Sequence, residues 1–402
     1  MGYIGRTPTG SILTSADIAD GSISTAKLED NAVTTAKIID NAVTAAKYVE
    51  YPAYRNLIIN GDMSIAQRGT SVAGITTTGY KTLDRFYLNI ANNGTYTMSQ
   101  DTDVPSGQGF GKSLKLSVTT ADASLTSGSA MLVEQKFEGQ NLQQLKKGTS
   151  NAESLTLSFW VKSNKTGTYI CEIDDNDNSR NINKSYTIDS ADTWEKKTIT
   201  FAGDTTGTLD NDNGYSVRTI WWLSAGTAFT SGTLATSWES TTNANRAVGQ
   251  VNLSDSTSNY INITGVQLEV GTSASDFEFL PFDVNLQRCQ RYYHKTYNLS
   301  DAPASVTSTG ILDISGFSDG SNNLLFDIPH KVRMRGTPTV TYYNSGGTSG
   351  QWFYGRNGAS GNNTATSYSG RTAENNLSTY VNIGASWTGG FVAGHYTLDA
   401  EL

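Results

Sequence analysis

A ten-residue repeat across residues 10–50 constrains the fold more than any other feature of this sequence. At about 100° per residue, ten residues rotate the apolar face of a helix by roughly −80°, so a continuous helix would form no apolar stripe. In a continuous strand, a spacing of five sends successive apolar side chains to opposite faces. Each repeat must therefore mix conformations. The apolar positions are Leu13, Ile18, Ile23, Leu28, Val33, Ile38, Val43 and Tyr48.

The apolar side chains of one repeat cannot be buried within that repeat, because no continuous face forms. Three chains wound together would cover them. We therefore expect residues 1–51 to form an ordered stalk in a homotrimer. The alternative is a disordered tether, which the low hydrophobicity of the segment favours.

The repeats share the form apolar-Thr-x-Ala-Lys-apolar, as in residues 33–38. This form resembles the stalk repeats near the start of tail fibres and related appendages of marine and cyanobacterial tailed phages. The first repeat departs from it, with Asp17 where lysine is expected. The resemblance implies a homotrimeric virion protein that joins other virion proteins through its N-terminus.

Composition predicts an all-β fold beyond the stalk. Only 16% of the residues are charged, and 39 are glycine. Ser, Thr, Asn and Gly supply most of the polar surface, and they favour strands and turns over helix. The net charge of −8 argues against nucleic-acid binding. No apolar run approaches the roughly 20 residues that a membrane-spanning helix needs, so we expect no membrane insertion.

Strand patterns recur through residues 52–283 and predict a two-sheet sandwich. The alternation slips by one at Gly265 within residues 261–270, which indicates a β-bulge. In the clearest strand, Leu155, Leu157, Phe159 and Val161 alternate with Thr156, Ser158, Trp160 and Lys162.

Four stretches of this region resemble the jelly-roll modules of phage fibres, which are similar to carbohydrate-binding domains with a galactose-binding-like fold. The stretches read NLIINGDMSIAQRGTS, DRFYL, LTLSFWVKS and ITGVQLEVG…FEFLPF. The resemblance implies a jelly-roll β-sandwich and allows sugar binding. Jelly rolls also serve as spacers, so the fold alone does not settle a function.

The rest of the chain divides into a connector and a final β domain. Residues 284–297 have helical periodicity and predict a connector that packs on the sandwich. Residues 298–402 return to strand patterning and predict a small C-terminal β-sandwich at the distal tip. Within it, residues 332–338 predict an edge strand, because the segment contains a proline. A strand there would place the cations Lys331, Arg333 and Arg335 on one face.

Aromatic residues are the candidate binding groups, because aromatic rings cover the C–H faces of sugars while neighbouring polar groups bind hydroxyls. The alternative for each is a place in the core or in a trimer interface. Residues 352–355 are the leading candidate, as part of a Gly/Ser/Asn-rich loop region. The candidate ligand-binding residues are Trp352, Tyr354, Trp387, Trp221 and Trp238.

Signals for catalysis and cofactors are weak. The sequence contains no nucleophile elbow, phosphate loop or paired metal-binding histidines, so we expect no enzymatic activity. Paired carboxylates for glycoside cleavage, distant in sequence, remain an open alternative. We expect no metal or other cofactor. The exception is structural Ca²⁺, which the Asx-rich residues 174–178 and 210–214 would hold, although neither stretch has EF-hand spacing and solvated turns account for them better.

These features together predict a bacteriophage tail fibre that adsorbs to a host-surface glycan. The protein would be made in the cytoplasm of the host bacterium and reside in the virion. One alternative is a structural head or neck fibre, or an adaptor that docks another receptor-binding protein. The third is a polysaccharide depolymerase.

Overall fold

The computed structural model describes residues 54–316, 323–356, 363–369, 372–382 and 390–402. All of them belong to one compact unit, Tyr54–Leu402, which is distinct from the unit Met1–Ala53. The eight predicted stalk positions, from Leu13 to Tyr48, lie outside the described residues, and so does Trp387. The trimeric stalk therefore stays a prediction.

The first part of the described chain is built from β-strands and loops, with one short α-helix, α1 (Thr227–Thr230), and four single-turn 3-10 helices. Neighbouring strands pair antiparallel. The strands are β1 (Ser71–Ile75), β2 (Gly79–Tyr80), β3 (Tyr87–Ala91), β4 (Thr95–Asp101), β5 (Ser113–Thr120), β6 (Ala130–Glu138), β7 (Leu155–Ser163), β8 (Gly167–Asp175), β9 (Arg180–Ile188), β10 (Glu195–Phe201), β11 (Tyr215–Ala225), β12 (Glu239–Ser240) and β13 (Tyr260–Val270).

These strands form two sheets that enclose one core. The six-stranded sheet has the order β1-β4-β5-β13-β7-β10, and the seven-stranded sheet has the order β12-β9-β8-β11-β6-β3-β2. Leu157 and Phe159 on β7 point into the core and have no exposed surface, as the alternation predicts. Full burial of such a side chain stabilises a fold by about 1.5–3 kcal/mol. The predicted all-β sandwich is confirmed.

The bulge predicted at Gly265 is also confirmed. The pairing of β13 with β7 shifts between Thr264 and Gln267. Gly265 has φ +60°, and a Cβ there would collide with the ring of Phe110. Only glycine meets both conditions without strain.

The connector is a helix followed by a strand. Helix α2 (Phe282–Gln290) confirms helical structure in the first half of residues 284–297, but Tyr293–Lys295 form a strand instead. The helix packs on the sandwich as expected, because Cys289 is buried against Ile59.

The C-terminal domain is a set of strands around the long final strand, whose first half pairs with two strands and whose second half pairs with two others. The set closes over its own core, since Tyr342 donates a hydrogen bond to Thr379 at 2.8 Å across it. The strands are β14 (Tyr293–Lys295), β15 (Leu312–Gly316), β16 (Asn323–Pro329), β17 (Thr339–Tyr343), β18 (Gln351–Arg356), β19 (Asn363–Ser369), β20 (Asn376–Asn382) and β21 (Gly390–Asp399).

Residues 332–338 form a loop, which corrects the predicted edge strand and the shared cationic face. Arg335 instead reaches the sandwich, where its Nη1 donates to the Asn213 carbonyl at 2.8 Å. Its Nε donates to the carbonyl of Ala400 at 2.7 Å. Beside it, the Glu401 carboxylate pairs with Arg85 of the sandwich. The residues after β21 therefore lie against the sandwich and not at a free tip.

Candidate functional site

Two of the predicted binding residues belong to hydrophobic cores. Trp221 has no exposed surface and packs between the two sheets of the sandwich. Trp352 has none either, stacks on Phe326 with ring centroids 5.6 Å apart, and donates to the His395 carbonyl at 2.7 Å. Its segment is strand β18 and not a loop. A ring without exposed surface cannot lie on a sugar, so we assign both residues to the cores instead.

Two other predicted residues are partly buried. Trp238 donates its indole N–H to the Ala202 carbonyl at 2.7 Å, and the Lys147 ammonium lies 5.2 Å from its ring centroid. Tyr354 packs against the C-terminal core. Trp221 and Trp238 belong to the sandwich core and Trp352 and Tyr354 to the C-terminal core, so the predicted set does not form one site.

The outer face of the six-stranded sheet carries aromatic residues that the prediction did not select. Trp160 lies on the outward side of β7, between Thr264 on β13 and Lys196 on β10. Trp194 directly precedes β10, and Tyr260 begins β13. All three aromatic side chains are partly exposed. We call Trp160, Trp194 and Tyr260, with the polar residues between them, the aromatic face.

Asp103 holds one side of the aromatic face in place. Its carboxylate accepts hydrogen bonds from Trp194 Nε1 at 2.9 Å and from Lys162 Nζ at 2.8 Å. Partial burial raises the pKa of Asp103, but these hydrogen bonds outweigh burial and keep the pKa below its ordinary value. The carboxylate is therefore charged at neutral pH and fixes both side chains without needing a ligand.

Tyr260 is held in a similar way on the other side. Its hydroxyl donates to Asp192 at 2.5 Å. The Lys115 ammonium lies 5.2 Å from the ring centroid and 3.1 Å from the Asp101 carboxylate. Preorganised rings and polar groups of this kind lose little entropy when a ligand binds.

Another part of this outer face, around Gln267, is covered by the chain that follows β13. Gln267 points outward but is buried, because its side chain accepts a hydrogen bond from the Glu278 amide at 2.8 Å and donates to Ser275 Oγ at 3.1 Å. Thr264 Oγ1 similarly donates to the Lys112 carbonyl at 2.7 Å. The aromatic face is the part that these segments leave partly open.

A pair of carboxylates lies on the outer face of the opposite sheet. Ile220 lies on β11, with Glu134 beside it on β6 and Glu172 beside it on β8. Burial raises the pKa of both carboxyls, which is a property that general acids need. However, both residues are fully buried, and Arg218 and Arg246 bind them at 3.0 and 2.9 Å. This arrangement fits a structural ion network better than a site that receives a substrate.

Aspartate side chains in both Asx-rich stretches form ion pairs or hydrogen bonds within the protein. Asp175 pairs with Lys147 at 2.5 Å, and Asp174 pairs with Arg218 at 2.9 Å. In the second stretch, the Asp212 carboxylate accepts a hydrogen bond from the Gly214 amide at 2.8 Å. Among the described residues, no group of three His, Cys, Asp or Glu side chains is arranged to hold a metal ion. Within the same residues, no helix is long and apolar enough to cross a membrane.

One signal in the sequence could have identified the aromatic face. Trp160 occupies the polar side of the β7 alternation, between Ser158 and Lys162. A large aromatic residue on the outward side of a strand is either exposed or covered by a loop. Trp194 gives no such signal, because its position depends on Asp103, which is distant in sequence.

No family model matches the chain, and no curated protein sequence matches it. Solved structures similar to it include the enzymatically active domain of bacteriophage CBA120 tailspike protein 4, at 15% identity and a TM-score of 0.30 over 54% of this chain. That match covers 22% of the tailspike chain, so this chain corresponds to less than a quarter of it.

Two carbohydrate-binding modules are also similar. The family 11 module from Clostridium thermocellum, in complex with a β-1,3-1,4-mixed-linked tetrasaccharide, has 11% identity and a TM-score of 0.26, over 52% of this chain and 98% of the module. TmCBM61, in complex with β-1,4-galactotriose, has 10% identity and a TM-score of 0.27, over 54% of this chain and 99% of the module.

Proposed function

We propose that this chain is a bacteriophage fibre protein that binds a host-surface glycan without cleaving it. The observation that carries the binding proposal is the aromatic face, where Trp160, Trp194 and Tyr260 share one outer sheet surface with charged and amide side chains. Rings of this kind stack on sugar C–H faces, and the flanking Lys and Asp groups bind hydroxyls. A rigid sheet positions them more firmly than a loop would.

The fibre part of the proposal has a different support. The stalk repeats require partner chains to cover their apolar residues, and their form resembles that of phage appendages. A homotrimer attached to the virion through residues 1–51 would present three copies of the aromatic face. Three weak sites on one particle gain affinity through their effective concentration. A monomeric mass for the full-length protein in light scattering would contradict this assembly.

The binding proposal is tested with the double variant Trp160→Ala/Trp194→Ala of the full-length protein. We expect at least a tenfold loss of binding on arrays of bacterial surface polysaccharides, with an unchanged circular dichroism spectrum. Phe282→Ala is the matched control, because Phe282 is also an exposed aromatic residue, 52% exposed, but lies on α2. Undiminished polysaccharide binding by the double variant would exclude the aromatic face as the site.

The same assays separate the two alternatives. A structural fibre or adaptor would bind no polysaccharide and would require a second virion protein for adsorption. A depolymerase would release reducing ends from the polysaccharide. The burial of Glu134 and Glu172 under paired arginines favours binding over cleavage.

A further inference from the structure

An open cleft of about 420 Å³ lies where the C-terminal end of α2 meets the end of β6 and the chain entering the sandwich. Its lining comes from three segments, within residues 54–59, 136–144 and 288–292. Sites for small molecules in proteins commonly have volumes of about 300–1,000 Å³. The cleft is therefore large enough for one or two sugar rings, and it includes none of the aromatic face.

The charge of this cleft is opposite to that of the whole chain. Its lining includes Lys136, Arg288 and Arg291 but only one carboxylate, that of Glu138, whereas the chain has a net charge of −8. Glu138 is already bound, since Arg291 donates two hydrogen bonds to it at 2.8 and 2.6 Å. Tyr292 donates a third. The charge that remains available to a ligand in the cleft is therefore positive.

Arg288 is the cation with the most unused capacity. A guanidinium has five N–H donors, but within the described chain Arg288 donates one hydrogen bond, from Nη2 to the Asn56 carbonyl at 3.3 Å. Burial lowers the pKa of Arg288 below its ordinary value. A guanidinium in this situation is suited to a carboxylate, which it can bind with two parallel hydrogen bonds.

Another part of the lining presents uncharged polar groups on a firm support. Asn141 and Gln144 are exposed, while Leu142 and Leu145 between and beside them are buried and anchor the segment. Tyr54 adds an aromatic ring that is 57% exposed. Amides bind hydroxyls, and a ring packs on C–H groups.

We propose that this cleft binds one acidic sugar unit, with Arg288 holding its carboxylate, Asn141 and Gln144 its hydroxyls, and Tyr54 its ring face. This site is separate from the aromatic face and does not require it to bind. It would select for polysaccharides that contain uronic acids or other carboxylated sugars.

The test is titration of the full-length protein with D-glucuronate, D-glucose and acetate, followed by ligand-observed NMR. We expect glucuronate to bind, and glucose and acetate each to bind at least tenfold more weakly. Arg288→Gln should weaken glucuronate binding about tenfold, and Tyr54→Ala should weaken it several-fold. Arg333→Gln is the matched control, since Arg333 is 74% exposed in the C-terminal domain and should leave binding unchanged.

Four results would overturn the proposal. Equal binding of acetate and glucuronate would show an anion site without sugar recognition. Equal binding of glucose would remove the role of Arg288. No glucuronate binding, or full binding by Tyr54→Ala, would exclude the cleft, and this second variant decides the matter if Arg288→Gln does not fold. The double variant Trp160→Ala/Trp194→Ala should bind glucuronate normally, so failure at the cleft is distinguishable from failure of the aromatic face.

Discussion

Each outer face of the sandwich carries an outward-facing tryptophan, but only one of the two rings is exposed. Trp160 on the six-stranded sheet and Trp222 on the seven-stranded sheet both point away from the central core. Trp160 stays partly exposed, whereas Trp222 is 1% exposed, because Phe229 and Arg246 cover its ring at 5.2 and 5.3 Å. The fold alone does not decide which face is available to a ligand; the loops that cross each face decide it.

The covered face also contains a buried charge network, whereas the ion pairs of the open face are partly exposed. Trp222 donates to Glu172 at 2.7 Å, and Arg246 donates to the same carboxylate at 2.9 Å. Such a network is fully satisfied only while the covering segment is in place. The covered face therefore contributes to stability, and the open face is free to contribute to binding.

The largest difference should come from removing each tryptophan. Trp222→Ala leaves a cavity and removes the indole N–H that donates to Glu172, and we expect it to destabilise the protein by about 3–5 kcal/mol. Trp160→Ala should cost less than about 1 kcal/mol, because its ring is only partly buried. Urea unfolding of both variants measures the two values. Similar losses of unfolding free energy for both variants would show that the two faces contribute equally to stability, and would contradict the comparison.

A second test addresses the charge network. Arg246→Ala leaves the Glu172 carboxylate buried without its cation, and breaking such a pair costs about 3 kcal/mol or more. Thermal unfolding should show the loss. On the open face, Lys196→Ala is the matched control, because Lys196 is exposed and should change stability by less than about 0.5 kcal/mol. An Arg246→Ala protein as stable as the control would contradict a structural role for the network.

A smaller effect is expected at the aromatic face itself. Trp194→Phe keeps a ring but removes the N–H that donates to Asp103. We expect a stability loss of about 1 kcal/mol and a several-fold loss of glycan affinity. Polysaccharide binding and urea unfolding of the same sample separate the two effects. Unchanged affinity would indicate that the position of the indole does not matter for binding.

The smallest effect depends on pH and has opposite signs on the two faces. The pKa of Asp103 is held below its ordinary value, so its contribution to stability is present above that ordinary value and is lost as pH falls through the folded pKa. Asp103→Asn should therefore cost less than about 1 kcal/mol at neutral pH and progressively less below about pH 4. Burial raises the pKa of Glu172. Its contribution to stability is therefore present below the ordinary pKa of a glutamate and declines as pH rises through the raised pKa. Urea unfolding from pH 3 to 7 checks the sign.

Local patterns in the sequence predict much of the sandwich but only part of the site. The β7 alternation and the Gly265 bulge are readable because strand periodicity and glycine conformation are local properties. The difference between Trp160 and Trp222 is not local, since it depends on segments that return from elsewhere in the chain. The same limit explains Trp352, whose polar and glycine-rich surroundings suggested a loop although the strand β18 buries it.

The contacts made by Arg335 and Glu401 join the C-terminal domain to the sandwich, and we expect them to make the two domains unfold as one unit. Arg85 is fully buried in the sandwich, but the carboxylate that pairs with it follows β21 of the other domain. Melting the C-terminal domain alone would leave that guanidinium buried without a counter-ion, which is strongly unfavourable. Neighbouring domains often unfold one after the other, but these two should lose their structure together and give a single heat-absorption peak in calorimetry.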